Sequence, residues 1–92
     1  MTFVVVTYDI ADDKRRLQVS GELENFGARV NFSVFECHLD SDILLELKGR
    51  LAKVIEPAED NVRYYVLCEA CVKKVEIQGK GEITRNQDYF VV

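Results

Sequence analysis

A chain of 92 residues that is 48% hydrophobic and 30% charged, with one Pro and five Gly, has room for one core and excludes a disordered, collagen-like or low-complexity protein. Twelve Lys and Arg against sixteen Asp and Glu leave a net charge of −4. Unaided nucleic-acid binders are usually basic, so any such role here needs a local basic patch, a bound cation or a basic partner.

The first predicted element is a strand, Phe3-Val-Val-Val-Thr-Tyr8, rich in β-branched and aromatic residues. Phe3 and Val5 fall on one face and Val4, Val6 and Tyr8 on the other, so it is expected to be central and covered on both sides. Asp9 ends it. Asp12 and Asp13 then offer N-caps to a helix whose apolar face is Val19, Leu23 and Phe26, with Gly27 as its stop. Arg29 to Leu39 alternates as two short strands with a turn near Asn31 to Ser33. Asp40 or Ser41 can cap a second helix with the stripe Leu44, Leu47, Leu51 and Val54, and Pro57 with Glu59-Asp60 marks the loop after it. Val62 to Leu67 reads as a further strand, Cys68 to Lys74 as a turn or single helical turn, and Val75-Glu-Ile77 as a short strand ended by Gly79.

The order β-α-β-β-α-β predicts an α+β, ferredoxin-like sandwich over residues 1–79, with two helices on one face of one sheet. Val34 with Val66 and Phe35 with Leu67 suggest apolar side chains on both faces, which would leave a large apolar surface uncovered. The strand-like ending Tyr89-Phe90-Val91-Val92 completes a tail, residues 80–92, expected to pack on or swap to a partner protomer as an extra C-terminal strand. A homodimer is the expected assembly. The longest apolar run, Phe3 to Val6, is too short to cross a bilayer, and Met1-Thr2-Phe3 lacks a basic flank and cleavage pattern. Three Cys make a poor disulfide framework, so a cytoplasmic protein without a membrane partner is expected.

Asp9 is the first candidate for chemistry, a carboxylate directly after a central strand. Alone it is a weak metal site. Near a two-fold axis two copies would meet and repel unless a cation intervened, and Mg2+ accepts one or two carboxylates with water and phosphate oxygens completing its shell. The alternative is that Asp9 caps the first helix or its loop. Lys14, Arg15 and Arg16 place three cations in the first helical turn, against the helix dipole, which suits a phosphate site or a solvated face neutralised by Asp12 and Asp13. Tyr8, Phe32, Phe35, Tyr64 and Tyr65 are candidates for base stacking or for core packing. Cys68 and Cys71 have CxxC spacing, but no second such pair exists to complete a zinc site, and nothing places Cys37 beside them. His38, the one histidine, is read as structural rather than as a general base.

Val4-Val-Val-Thr-Tyr-Asp-Ile-Ala-Asp-Asp-Lys-Arg-Arg16, Gly27-Ala-Arg-Val-Asn-Phe-Ser-Val-Phe-Glu-Cys37 and Val62-Arg-Tyr-Tyr-Val-Leu-Cys68, in this order and spacing, resemble the CRISPR-associated protein 2 family. The resemblance implies a small ferredoxin-like homodimer with metal-dependent endonuclease activity on RNA or double-stranded DNA. Asp9 matches the family's metal-binding aspartate, with Mg2+ shared between protomers. Tyr8, Arg16, Arg29 and Phe35 match positions implicated in activity or nucleic-acid contact, Arg15 being the rival to Arg16. The family also serves as the central dimer of the spacer-acquisition complex, flanked by the CRISPR integrase subunit. Three alternatives stand beside catalysis: a non-catalytic scaffold for duplex DNA, a ferredoxin-like ligand-binding regulator, and a toxin ribonuclease of similar fold.

Overall fold

The β-branched run after Met1 forms strand β1, Thr2–Asp9, the spine of the sheet in the computed structural model, which describes residues 2–85. Helix α1 (Asp13–Glu24), strands β2 (Gly27–Asn31) and β3 (Val34–Leu39), helix α2 (Ser41–Ala52), strand β4 (Asn61–Leu67) and the single turn α3 (Glu69–Val72) follow. The four strands are antiparallel in the order β2-β3-β1-β4, and the fold is the α+β, ferredoxin-like arrangement expected. The expected extra strand at Tyr89 to Val92 lies outside the described residues.

Short polar side chains set the helix starts. Asp12 Oδ2 accepts from the Arg15 N–H and Asp40 Oδ1 from the Ile43 N–H, so Asp40 rather than Ser41 is the second cap. Each such cap contributes about 1 kcal/mol. The i, i+4 pairs Val19/Leu23 and Leu47/Leu51 then drive one face of each helix onto the sheet, against Val4, Val6, Tyr8, Phe35, Cys37 and Leu39. Phe26, Leu44 and Val54 border this core.

Three sequence expectations need correction. Gly27 does not stop α1, which ends at Glu24 with Asn25 as its C-cap; it opens β2, where its bare Cα lies against β3. A Cβ there would stand 2.5 Å from the Glu36 carbonyl oxygen and closer still to Cys37 Sγ. Gly27→Ala therefore costs about 1–3 kcal/mol by overpacking. At Gly21, inside α1 with nothing within 4 Å of an added Cβ, the same change gains about 0.5–1 kcal/mol. Urea unfolding of the two variants checks both signs.

Val75 to Ile77 form no strand. The Val75 N–H is instead taken up in closing α3, donating to Val72 O just after the Lys74 N–H donates to Cys71 O.

The sheet's second face is also less apolar than expected, because Val34 and Val66 lie on opposite faces. Val34 pairs with Thr7, on the face away from the helices, whereas Val66 pairs with Val4 on the helix side. Phe35 and Leu67 are likewise on opposite faces, Phe35 beside Val6 and Leu67 beside Phe3. The helix-free face thus mixes Phe3, Val5, Val34, Tyr65 and Leu67 with Thr7, Glu36, His38 and Arg63. Part of it is covered by the chain itself: the Thr84 N–H donates to Glu36 Oε1 at 3.0 Å, and His38 Nε2–H donates to Thr84 O at 2.7 Å. The His38 ring meets Phe3 edge-on with centroids 5.1 Å apart, which gives this histidine a packing role.

Candidate functional site

The carboxyl end of β1 projects Asp9 into solvent, opposite Asn61 of β4. The strand buries Val6, Tyr8 and then Ile10, so the intervening Asp9 is left outside. Asp9 does not cap α1, since Asp12 does. Its side chain is accordingly free of the structural duty that was its alternative reading.

The three neighbouring cations separate into different environments. Arg15 turns inward and grips Asp60 with a two-point contact, Nε to Oδ2 at 2.8 Å and Nη2 to Oδ1 at 3.2 Å, and reaches Glu59 at 3.4 Å. Asp60 is 7% exposed and also accepts the Ala11 N–H at 3.1 Å and the Glu56 N–H at 2.8 Å. The Arg15 guanidinium, helped by those two amides, holds the Asp60 carboxyl well below the usual carboxylate range, and Asp60 in turn raises the Arg15 pKa. Arg15 thus ties the β1–α1 turn to the loop before β4. That occupation explains why a cation is favoured in the first helical turn and leaves Arg15 poorly placed as a phosphate ligand.

Arg16 faces the other way. Its Nε and Nη2 donate to the Ile10 carbonyl at 3.3 and 3.1 Å, and its Nη1 to Asp13 Oδ1 at 2.6 Å. The side chain remains 47% exposed, so a positioned guanidinium stands beside the residue that follows Asp9. Lys14 is exposed on the same turn.

Tyr8 and Phe35 sit behind this surface and are 6% and 0% exposed. The Tyr8 hydroxyl donates to Phe32 O at 3.2 Å, and its N–H to Ser33 O, which pins the β2–β3 turn against the end of β1. Neither ring is free to stack on a base. Of the proposed stacking aromatics, Phe32 at 88% and Tyr65 at 48% are the exposed ones. Arg29 lies 5.4 Å over the Phe35 ring and is itself exposed, which brings a cation to the β2 edge.

Two residues that matter here carried no signal in the sequence. Asp60 looked like a loop acid, and its partner is 45 positions away. Arg63 is exposed opposite Thr7 on the helix-free face, two residues short of Asp9 along β1, where it adds a cation to this end of the sheet. No group of three or more His, Cys, Asp or Glu side chains that could hold a metal ion exists among the described residues. Cys68 and Cys71 are exposed and Cys37 is buried, with no third ligand joining the CxxC pair among the described residues. No helix among those residues is long and apolar enough to cross a membrane.

A family model described as CRISPR associated protein Cas2 matches residues 1–75. A relative from Synechocystis, named CRISPR-associated endoribonuclease Cas2 3, is 40% identical over 92 residues and covers 100% of both chains. Among solved structures, the hypothetical protein TT1823 from Thermus thermophilus superposes with a TM-score of 0.80 at 34% identity, over 91% of this chain and 98% of that one. A chain of a partial Cas6-RT-Cas1–Cas2 complex superposes with a TM-score of 0.74 at 28% identity, over 90% and 98% respectively.

Proposed function

The chain belongs to the CRISPR-associated protein Cas2 family, and on that premise we propose that it is a homodimeric endonuclease of spacer acquisition, cleaving phosphodiester bonds in RNA or double-stranded DNA. The observation that carries this reading is one turn of chain that presents an exposed carboxylate, Asp9, beside an exposed guanidinium, Arg16, fixed by the Ile10 carbonyl. A phosphodiester calls for both. Its negative charge is met by cations, and a carboxylate can hold the divalent ion that polarises the phosphoryl group.

Asp9 fits Mg2+, which binds through one or two carboxylates and takes its remaining ligands from water and phosphate. Two protomers sharing the ion through their Asp9 side chains would supply that number. Bound there, Mg2+ would add Lewis-acid charge at the phosphate. Arg16 beside the β1–α1 turn and Arg29 on the β2 edge then bind phosphate oxygens, while Tyr8 and Phe35 hold the strand end and the β2–β3 turn in place. The edge strand β4, with Val66 54% exposed, is the surface on which a second protomer's tail would pair. The endoribonuclease name of the Synechocystis relative and the Cas1–Cas2 assembly of the solved complex support the activity and an integrase partner.

The net charge of −4 favours a second reading, a scaffold that holds duplex DNA for that integrase without cutting it. Incubating the wild-type protein with labelled RNA and duplex DNA, in Mg2+ or in EDTA, separates the two. Products that appear only with Mg2+ establish the nuclease; duplex binding without products establishes the scaffold.

Binding also tests the division of labour among the cations. Arg16→Gln lowers duplex affinity and reduces the slope of log K against log salt by about one for each phosphate that Arg16 neutralises in the wild type. Titrations at several salt concentrations check this, and an unchanged slope would return Arg16 to the role of a partner for Asp13.

A further inference from the structure

The CxxC pair is absorbed by none of the above, and its geometry is that of a reactive dithiol. Cys68 is the N-cap of α3 and Cys71 lies three residues on, within that turn. Cys68 Sγ accepts the Cys71 N–H at 3.4 Å. One helical turn puts Cα atoms three residues apart about 5 Å from each other, within the range a disulfide spans, and adjustment of the backbone in this short turn brings the two Cβ atoms close enough to bond. Both thiols are exposed.

We propose that Cys68 and Cys71 form a reversible redox site, in which Cys68 attacks a low-molecular-weight disulfide and Cys71 resolves the product into an intramolecular disulfide. In the first step the Cys68 thiolate bonds to one sulfur of the disulfide and the other sulfur leaves as a thiolate. In the second the Cys71 thiolate attacks Cys68 Sγ and expels the remaining half. The two protein thiols are oxidised, one small disulfide is reduced to two thiols, and the two protein protons pass to the leaving thiolates.

The electrostatics assign these roles in the same order. The Cys71 N–H and then the Cys71 thiol favour the Cys68 thiolate and lower its pKa, whereas donating to Cys68 raises that of Cys71. Cys37 is an internal control, since burial pushes its thiol up to about 11. The site lies between β4 and the stretch that returns to Glu36 and His38 through Thr84.

Incubation of the full chain with oxidised glutathione, followed by intact-mass and peptide mass spectrometry, tests the proposal. Wild type is expected to lose two hydrogen masses, with the link mapped to Cys68–Cys71 and reversed by excess reduced glutathione. Cys71→Ser is expected to stop at one glutathione adduct on Cys68, and Cys68→Ser to resist modification under the same exposure. Adducts spread equally over Cys68 and Cys71 without ring closure, or disulfides formed only between chains, would overturn it. So would a Cys71→Ser protein that takes up no glutathione.

Discussion

Asp9→Asn abolishes Mg2+-dependent cleavage while leaving the fold and self-association intact. The expected fall is roughly a hundredfold or more, because a neutral amide no longer holds a divalent cation that supplies several kcal/mol of transition-state stabilisation. The fold is spared for identifiable reasons. Asp9 is exposed, its backbone pairs with Asn61, and the cap of α1 belongs to Asp12. Circular dichroism and sedimentation should therefore match wild type, which separates a lost ligand from a lost structure. Time courses on RNA and duplex DNA, with Mg2+ and with EDTA, give the answer. If the variant cuts as fast as wild type, the cation is held elsewhere and the proposed centre is wrong.

The parts of this molecule that were readable in its sequence are those set by local period and local chemistry. Val19/Leu23 and Leu47/Leu51 announce buried helix faces whatever they pack against, and Asp12 and Asp40 announce helix starts by the reach of a short carboxylate. The exposed position of Asp9 at a strand end was legible because it follows an apolar strand. Long-range partners were not. Arg15 and Arg16 are adjacent in sequence, and which one meets a buried acid depends on a loop 45 positions away. The faces of Val34 and Val66 depend on strand register, and the β2–β3 pairing shifts between Arg29 and Asn31. Gly27 misled for a different reason: glycine marks both left-handed helix ends and close backbone approach, and here the Glu36 carbonyl shows it is the second. Tyr8 and Phe35 show the same ambiguity for aromatics, since composition does not distinguish a ring that stacks on a base from one that fills the core behind a site.

Asp60→Asn lowers stability more than any surface substitution in this chain, and its effect depends on pH. At neutral pH the midpoint of thermal unfolding is expected to fall by roughly ten degrees, a large effect for a domain of this size. The Arg15 guanidinium loses its charged partner, and an amide cannot accept from Ala11, Glu56 and Arg15 as the two carboxylate oxygens do. The folded-state pKa of Asp60 is depressed, so the unfolded chain, with an ordinary value of about 3.9, takes up this proton first as the pH falls. Asp60 therefore stabilises the fold fully above about pH 5, and that contribution drains away as acid is added, down through the folded-state value. Thermal melts of wild type and Asp60→Asn between neutral pH and strong acid should converge toward the acid end. Arg15→Gln combined with Asp60→Asn should destabilise by less than the two single changes together, because each removes the same ion pair. A constant gap between the melting curves across the acid range would show that Asp60 acts through packing alone, and that Arg15 is available to phosphate after all.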